Sequence, residues 1–272
     1  MPSIELNTPE LMEFLDNKFT LNELKERIPM IGVDMECIDE EKIVVEIFPN
    51  RPDMLSVEGF SRALKGFLEI EPGPVKYEVK NSDVSLTVSP SVKDVRPYIA
   101  SAIVKNVNFN ENFLVSLMNL QEKLHVTHGR NRKKVAIGVH DFEKIQPPFT
   151  YKTVKYDEIK FVPLDMNIEM NLKEILQKHP KGTAYADIFD GISDYPIILD
   201  KNNNVVSFPP IINGELTRVT KSTKNLFIEI TGTGELAVRQ ALNIVVSAIA
   251  DRGGEIYGVL INQTNENYEN LL

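Results

Sequence analysis

The sequence contains little cysteine and no long apolar run. Its 272 residues include one cysteine, Cys37, so an internal disulfide and a thiolate-rich metal site are both excluded. No stretch reaches the roughly 18 consecutive apolar residues of a membrane-spanning helix. The first residues, MPSIELNTPELMEF, lack the basic and then apolar layout of a secretion signal. These absences predict a soluble cytoplasmic protein.

Positive charge is also scarce. The chain has 30 Lys and Arg against 39 Asp and Glu, a formal net charge of −9, which argues against non-specific adhesion to nucleic acid over the whole surface. A polyanionic partner must therefore meet a local patch. The best candidate is the run HGRNRKK at 128–134, which holds Arg130, Arg132, Lys133 and Lys134. A solvated basic turn before a strand explains the same run equally well.

The common catalytic motifs are missing. The chain has no GxxxxGK[ST] phosphate loop and no HExxH, and its four histidines do not fall at metal-ligand spacing. GTGEL at 232–236 opens a predicted helix and could place backbone N–H groups near an anion, although a plain strand-to-helix turn is the more frequent explanation. His140 beside Asp141 is either oriented by that carboxylate or part of a structural pair. The residues alone thus indicate a pocket but no reaction.

Apolar residues make up 42% of the chain, enough for one large or two modest domains. Predicted strands lie at 43–48, 84–88, 99–107, 134–142, 154–164, 195–199, 205–208, 226–230 and 256–261, and predicted helices follow Thr8, Thr20 and Ser56 or span 113–124, 171–179 and 235–250. The turn DKNNN at 200–204 predicts an antiparallel hairpin. EPGP at 71–74, with the polar residues after it, predicts a domain boundary. We therefore predict an α+β fold, with a small N-terminal α/β domain over 1–80 and a larger mixed-sheet domain over 81–272.

One acidic residue lies inside an apolar strand. In LFIEI at 226–230, Glu229 stands between Ile228 and Ile230, so the two-residue period places it on the opposite face from these neighbours. If that face is covered as well, the sheet contains a largely buried carboxylate. Such a group is costly unless something hydrogen-bonds it.

Three segments resemble one known family. HGRNRKKVAIGVHDFEKIQPPFTY at 128–151 and FPPIINGELTRVTKSTKNLFIEITGTG at 208–234 are similar to the amino-acid editing domain of the archaeal and eukaryotic phenylalanyl-tRNA synthetase beta subunit. FPNRPDMLSVEG at 48–59 resembles the amino-terminal domain of that subunit. Family members carry later domains that contact the catalytic alpha subunit, and NQTNENYENLL at the end of this chain has no closing element. The chain thus resembles an amino-terminal fragment.

The resemblance implies a hydrolase of misacylated tRNA, which cleaves tyrosine wrongly esterified to the terminal adenosine of tRNA(Phe). It implies tRNA(Phe) and the synthetase alpha subunit as partners, in a heterotetramer of two alpha and two beta subunits. It implies no cofactor for this portion, and ATP and Mg²⁺ for the assembled synthetase. A separate editing site is useful because an apolar pocket rejects an added hydroxyl by only about 100-fold, whereas a site that bonds the hydroxyl rejects the analogue lacking it by roughly 10⁴ or more.

The resemblance also assigns site residues. Glu229 matches the acidic residue of the family's editing pocket and would accept a hydrogen bond from the phenol, and Thr231 matches the threonine two residues on. Ser207 would hold the attacking water or the ester carbonyl, Asn213 would bind polar groups of the amino acid, and Leu199 would form a wall.

Two further assignments complete the hypothesis. His140 matches a histidine associated with editing in bacterial relatives. Arg130, Arg132, Lys133 and Lys134 would steer the acceptor end of tRNA through its phosphates. Two alternatives stay open: a non-catalytic module that binds tRNA or scaffolds the alpha subunit, and a stand-alone domain that acts on free aminoacyl esters.

Overall fold

The structure is a computed structural model that describes residues 2–263 and 266–268. The N-terminal part consists of β1 (Ser3–Asn7), α1 (Thr8–Phe14), α2 (Leu21–Arg27), β2 (Asp34–Ile38), β3 (Lys42–Glu46) and α3 (Val57–Phe67). Its strands form an antiparallel sheet in the order β1-β3-β2. The predicted caps at Thr20 and Ser56 are confirmed. The predicted cap at Thr8 is wrong, because the Asn7 side chain accepts the Glu10 N–H and the helix begins at Thr8.

The remaining elements form a larger mixed α/β part. They are β4 (Val79–Lys80), β5 (Ser85–Val88), β6 (Tyr98–Lys105), α4 (Glu111–Val126), β7 (Val135–Asp141), β8 (Phe149–Val154), β9 (Lys160–Phe161), β10 (Met170–Asn171), α5 (Leu172–Lys178), α6 (Pro180–Tyr185), β11 (Tyr195–Leu199), β12 (Val205–Phe208), β13 (Ile212–Asn213), β14 (Leu226–Gly232), α7 (Glu235–Ala250), β15 (Glu255–Gly258), β16 (Leu260–Gln263) and β17 (Glu266–Tyr268).

Two sheets dominate this part. The first has five strands in the order β4-β15-β6-β14-β7, and the second has seven in the order β13-β12-β11-β8-β5-β16-β17. A small sheet of β9 and β10 lies apart. Parallel pairs, such as β5 with β8, occur beside antiparallel ones, such as β11 with β12. The predicted α+β fold, its mixed sheets and the β11–β12 hairpin are confirmed.

Three elements differ from the sequence prediction. The predicted strand at 256–261 is two strands in different sheets, because the chain crosses at Val259 from the five-stranded to the seven-stranded sheet. Pro180 ends α5 as predicted, but it also starts α6, because proline suits the first turn of a helix. The predicted strand at 154–164 is a strand end and the short β9, separated by a turn.

The two large sheets pack face to face. Phe149 of β8 stacks on Phe227 of β14 with ring centroids 4.2 Å apart, within a buried apolar cluster that both sheets supply. The other face of the five-stranded sheet is covered by α4 and α7, and α3 packs against α7, so that all three helices contribute to the largest core. A third cluster lies between α5 and the outer face of β11 and β12. The face of β14 that carries Phe227 therefore points into the space between the sheets.

The core does not break at the predicted boundary near residue 80. One buried apolar cluster contains Ile4, Leu64 and Ile256. Arg252, which follows α7, also donates to Glu58 and Glu10 of the N-terminal part. The division into residues 1–80 and 81–272 stays a prediction, and the two parts share one interior.

None of the helices formed by the described residues is long and apolar enough to cross a membrane.

Candidate functional site

A cavity of about 640 Å³ opens beside β7, the edge strand of the five-stranded sheet. Side chains from α4, β7, β12, β13 and β14 line it, together with the cis Pro209–Pro210 peptide and a short 3₁₀ turn at Glu215–Thr217. The polar side chains in its wall include Ser207, Asn213, Thr217 and Glu229. Its volume lies within the range of about 300–1,000 Å³ that is usual for small-molecule sites.

Glu229 occupies the middle of β14 and is 1% exposed. In agreement with the two-residue period, it shares a face with Phe227 and Thr231, away from the apolar core that Ile228 and Ile230 enter. Its Oε2 atom is buried and has no hydrogen-bond partner among the described residues. A carboxylate oxygen is costly to bury unpaired. Glu229 therefore has one acceptor oxygen that the described residues leave unused.

Space for the carboxylate comes from Gly138. This glycine lies directly opposite Glu229 on the neighbouring strand β7. A Cβ atom at position 138 would lie 2.3 Å from Glu229 Oε1 and 2.6 Å from His140 Nε2. Only a residue without a side chain fits between these two groups.

His140 lies next to the carboxylate and is fully buried. Its Nε2 atom is 3.7 Å from Glu229 Oε1, and its Nδ1 atom is 2.8 Å from the hydroxyl of Thr217. Asp141 does not orient this imidazole, because its carboxylate accepts the Glu143 N–H and the Thr223 hydroxyl. Thr217, which the sequence reasoning missed, takes that place. Hydroxyl residues are common in turns, so no local pattern distinguishes Thr217 from them.

A buried arginine lies behind Glu229. Arg96, in the segment before β6, is 2% exposed and donates from Nε to the Thr231 hydroxyl at 2.9 Å. Its other N–H groups donate to the backbone oxygens of Thr231, Arg132 and Lys133. Burial lowers the pKa of Arg96 to about 10, against the opposing effects of Tyr151 and Glu229, so the guanidinium remains charged at neutral pH. In the polar stretch DVRPY, Arg96 resembles a surface residue, which is why sequence reasoning missed it.

The predicted site residues are partly brought together. Glu229, Ser207 and Asn213 all line the cavity, and His140 contacts Glu229 from beneath. Thr231 is fully buried, and its hydroxyl accepts from Arg96 instead of lining the cavity. Leu199 lies away from the cavity, in the cluster on the outer face of β11.

Ser207 and Asn213 face each other across the β12–β13 pair. The Ser207 hydroxyl is 3.4 Å from Asn213 Oδ1, and Asn213 Nδ2 donates to the Val139 carbonyl of β7 at 3.4 Å. These long contacts hold the two side chains loosely against the sheet edge. Both keep hydrogen-bonding capacity for a ligand.

A histidine of α4 closes the exposed edge of β7. His125 Nε2 accepts the Ile137 N–H at 2.8 Å, so this nitrogen must be unprotonated. Burial lowers the pKa of His125 to about 4, and the ring is neutral at pH 7. An edge strand otherwise presents unpaired N–H groups.

The basic run forms a tight turn. Arg130, Asn131 and Arg132 all have positive φ, between 50° and 66°. Arg132 points inward, where it donates to the carbonyls of Pro210 and Ile211 and to Glu122 and lies over the Tyr185 ring. Lys133 pairs with Asp187 at 2.7 Å. Arg130 and Lys133 are exposed, and Lys134 is half-buried.

Within residues 2–263 and 266–268, no group of three or more His, Cys, Asp or Glu side chains could hold a metal ion.

Comparison with known proteins agrees with this architecture. Residues 95–246 match the B3/4 domain family. The chain is 55% identical to the phenylalanine–tRNA ligase beta subunit of Methanosarcina barkeri, over 85% of this chain and 42% of that protein. It is 48% identical to the phenylalanine–tRNA ligase beta subunit of Methanocaldococcus jannaschii, over 100% of this chain and 50% of that protein.

A solved structure is also similar. An N-terminal fragment of the phenylalanyl-tRNA synthetase beta subunit from Pyrococcus horikoshii superposes with a TM-score of 0.93 at 39% identity, covering 100% of this chain and 80% of that one. The chain spans about half the length of the curated relatives it matches.

Proposed function

Because the chain belongs to the family of phenylalanine–tRNA ligase beta subunits, we propose that it hydrolyses tyrosine wrongly attached to tRNA(Phe). The residues that match the B3/4 domain family supply most of the cavity wall, including Glu229. The observation that carries the proposal is the buried and unpartnered Oε2 atom of Glu229.

A phenol is the group that this oxygen would recognise. The tyrosine hydroxyl donates one hydrogen bond, and a hydrogen bond to a charged acceptor contributes about 1.5–3 kcal/mol. Phenylalanine would exclude water from the same oxygen without replacing the bond, which adds a further penalty. Glu229 would thus favour tyrosine over phenylalanine. The apolar pocket that binds phenylalanine for aminoacylation cannot make this distinction well, because it rejects an added hydroxyl only weakly.

The hydrolysis needs no covalent intermediate. The oxygen of a water molecule adds to the ester carbonyl carbon, the bond from that carbon to the ribose oxygen breaks, and the ribose oxygen leaves with a proton. Positioning and charge stabilisation account for most of the acceleration of such a step. We assign the positioning of the water or the carbonyl to Ser207 and the binding of polar amino-acid groups to Asn213, with His140 beside Glu229. Thr231 would act indirectly, through Arg96.

The partners follow from the same proposal. The substrate is the acceptor end of tRNA(Phe) carrying tyrosine, and the exposed Arg130 and Lys133 would steer its phosphates. The chain covers 42–50% of the length of the phenylalanine–tRNA ligase beta subunits it resembles. We place ATP- and Mg²⁺-dependent aminoacylation in the assembled enzyme with the alpha subunit, outside this chain.

Deacylation assays test the function. The chain is incubated with Tyr-tRNA(Phe) and with Phe-tRNA(Phe), and the release of each amino acid is timed. We expect selective release of tyrosine, loss of that selectivity in Glu229→Gln, and unchanged release in Glu235→Gln, an exposed carboxylate on α7. Binding of tRNA without deacylation would instead support a non-catalytic module. Cleavage of small tyrosine esters without tRNA would support a stand-alone esterase.

A further inference from the structure

A buried amide in the cavity wall has no hydrogen bond. Gln121 of α4 lines the cavity and is 9% exposed. Its carboxamide can accept through its oxygen and donate twice through its nitrogen, but it makes no hydrogen bond to a described residue. A polar group is costly to bury without a partner. A ligand in the cavity would supply the missing partner.

The other polar side chains that α4 places in this wall have partners or contact solvent. Glu122 accepts hydrogen bonds from two cationic side chains, and His125 Nε2 accepts a backbone N–H of β7. Asn119 is exposed, so water can satisfy its amide. Among the described residues of α4 in the cavity wall, Gln121 is thus the buried polar side chain without any hydrogen bond.

Gln121 lies at the end of an apolar strip. Leu114 and Met118 also line the cavity. They precede Gln121 by seven and three residues, and this spacing places all three side chains on one face of the helix. Met118 is exposed and Leu114 is half-buried. A flat ring that lies against the two apolar side chains can therefore turn its edge towards the amide.

Adenine has an edge that a carboxamide complements. Its exocyclic amine donates and a neighbouring ring nitrogen accepts, whereas the amide oxygen accepts and the amide nitrogen donates. Proteins that bind unpaired RNA bases combine packing on the face of the base with hydrogen bonds to its edge. The strip offers both kinds of contact, and it carries no charge that would suit a phosphate.

We propose that this face of α4 is the adenine subsite of the cavity, where Gln121 binds the edge of the terminal adenosine of tRNA(Phe) and Leu114 and Met118 pack against the base. The proposal rests on the editing function proposed above. A cavity of about 640 Å³ lies in the range that encloses drug-sized ligands, and tyrosyl adenosine is of that size. Glu229 binds the phenol at one end of this group and Gln121 the base at the other.

The first test measures binding to the unaltered chain and needs no catalysis. The ligand is adenosine that carries tyrosine at its 3′ position through an amide, which is not hydrolysed as the ester is. The same compound with purine in place of adenine lacks the exocyclic amine. Titration calorimetry should show at least about fivefold tighter binding of the adenine compound, as a bidentate amide contact implies. Equal affinities overturn the proposal, even where deacylation remains selective for tyrosine.

A variant assigns the preference to Gln121. Gln121→Met has a similar length and retains apolar packing but lacks the amide. We expect the preference for adenine over purine to disappear in Gln121→Met and to persist in Gln240→Met, since Gln240 is an exposed glutamine of α7 outside the cavity wall. An adenine preference that persists in Gln121→Met overturns the proposal.

Stability distinguishes this role from a structural one. The amide has no partner to lose, so Gln121→Met should unfold in urea at the same or a higher free energy than the wild type. A marked loss of stability, or a failure to fold, would show that the amide supports the fold and would count against the subsite.

Two further ligands separate the subsite from the proposed selectivity for tyrosine. AMP supplies adenine without an amino acid and should bind at least about tenfold more weakly than the tyrosyl compound, because it makes only part of the contacts. Equal binding of AMP would indicate a site for free nucleotides and would overturn the proposal. The phenylalanyl form of the adenine compound should bind more weakly than the tyrosyl form. If both forms bind equally but prefer adenine to purine, the subsite stands and the selectivity for tyrosine fails.

Discussion

Gly138 and Glu229 lie directly opposite each other on β7 and β14, and the absence of a side chain at Gly138 is what makes room for the carboxylate. The pair explains how an acidic residue fits between two packed sheets. It also fixes the carboxylate beside His140, because a side chain at position 138 would contact both groups.

The first prediction concerns this glycine. Gly138→Ala places a Cβ atom 2.3 Å from Glu229 Oε1, so the carboxylate must move, and overpacking of this kind costs about 1–3 kcal/mol. We expect a lower unfolding free energy and loss of tyrosine-selective deacylation. Gly258→Ala, in β15 of the same sheet, is the control, because its nearest neighbours lie 3.9 Å from the added atom. Similar behaviour of the two variants in urea unfolding and in the deacylation assay would contradict the prediction.

The second prediction concerns the support of His140. Thr217→Val keeps the shape of the side chain but removes the hydroxyl that pairs with His140 Nδ1 at 2.8 Å. A buried polar atom left without its partner costs about 1–3 kcal/mol. We expect a loss of that size in urea unfolding for Thr217→Val and near-normal stability for Thr217→Ser. Equal stability of the valine and serine variants would show that the hydroxyl is dispensable.

A third prediction links stability to pH through His125. Its folded pKa of about 4 lies below the ordinary value of 6.5, so the unfolded chain binds the proton more tightly between these values. The stabilisation is complete above pH 6.5 and is lost as the pH falls towards 4. We expect a loss of about 3 kcal/mol from this group.

Comparison with His125→Gln isolates that contribution. The glutamine amide oxygen can accept the Ile137 N–H but does not titrate. Urea unfolding of both proteins at several pH values between 4 and 7 should show a steeper pH dependence for the wild type. If the unfolding free energies of the two proteins change with pH in parallel, His125 is not responsible for the pH dependence of stability.

The fourth prediction separates two arginines of one turn. Arg130 is exposed, so Arg130→Gln should reduce the slope of log affinity for tRNA against log salt by about one and leave the melting temperature unchanged. Arg132 is bonded to the Pro210 and Ile211 carbonyls and to Glu122. Arg132→Gln should therefore mainly affect stability, lowering the free energy of unfolding by about 1–3 kcal/mol, rather than the salt dependence of tRNA binding. Binding isotherms at several salt concentrations and thermal melts of both variants check this division, and equal salt slopes would refute it.

Local patterns in the sequence predict much of this fold. The two-residue period around Glu229 gives its face correctly, the spacing of apolar residues predicts α7, and the turn at 200–204 predicts the β11–β12 hairpin. Each of these features is determined by residues close to one another in the chain, so the local pattern is enough to predict it.

Features that depend on distant residues were not predictable. The sequence shows that Thr231 shares a face with Glu229. Arg96 precedes Thr231 by 135 positions, and only the fold brings the two side chains into contact. Leu199 matches a pocket position by motif, yet it lies with Ile197 on the outer face of the sheet, while Ile198 between them faces the other sheet. The crossing at Val259 is not visible in the sequence because IYGVLI at 256–261 reads as one continuous strand. In each case the deciding contact is long-range.

The shared interior of the N-terminal part and the larger part has a practical consequence. A cut at residue 80 would remove α3 from the largest core and would leave Arg252, a partly buried cation, without the carboxylates of Glu58 and Glu10. Truncated proteins that begin after this point would expose the apolar surface that the first eighty residues cover and would be prone to aggregate, so any graft of the larger part should include those residues.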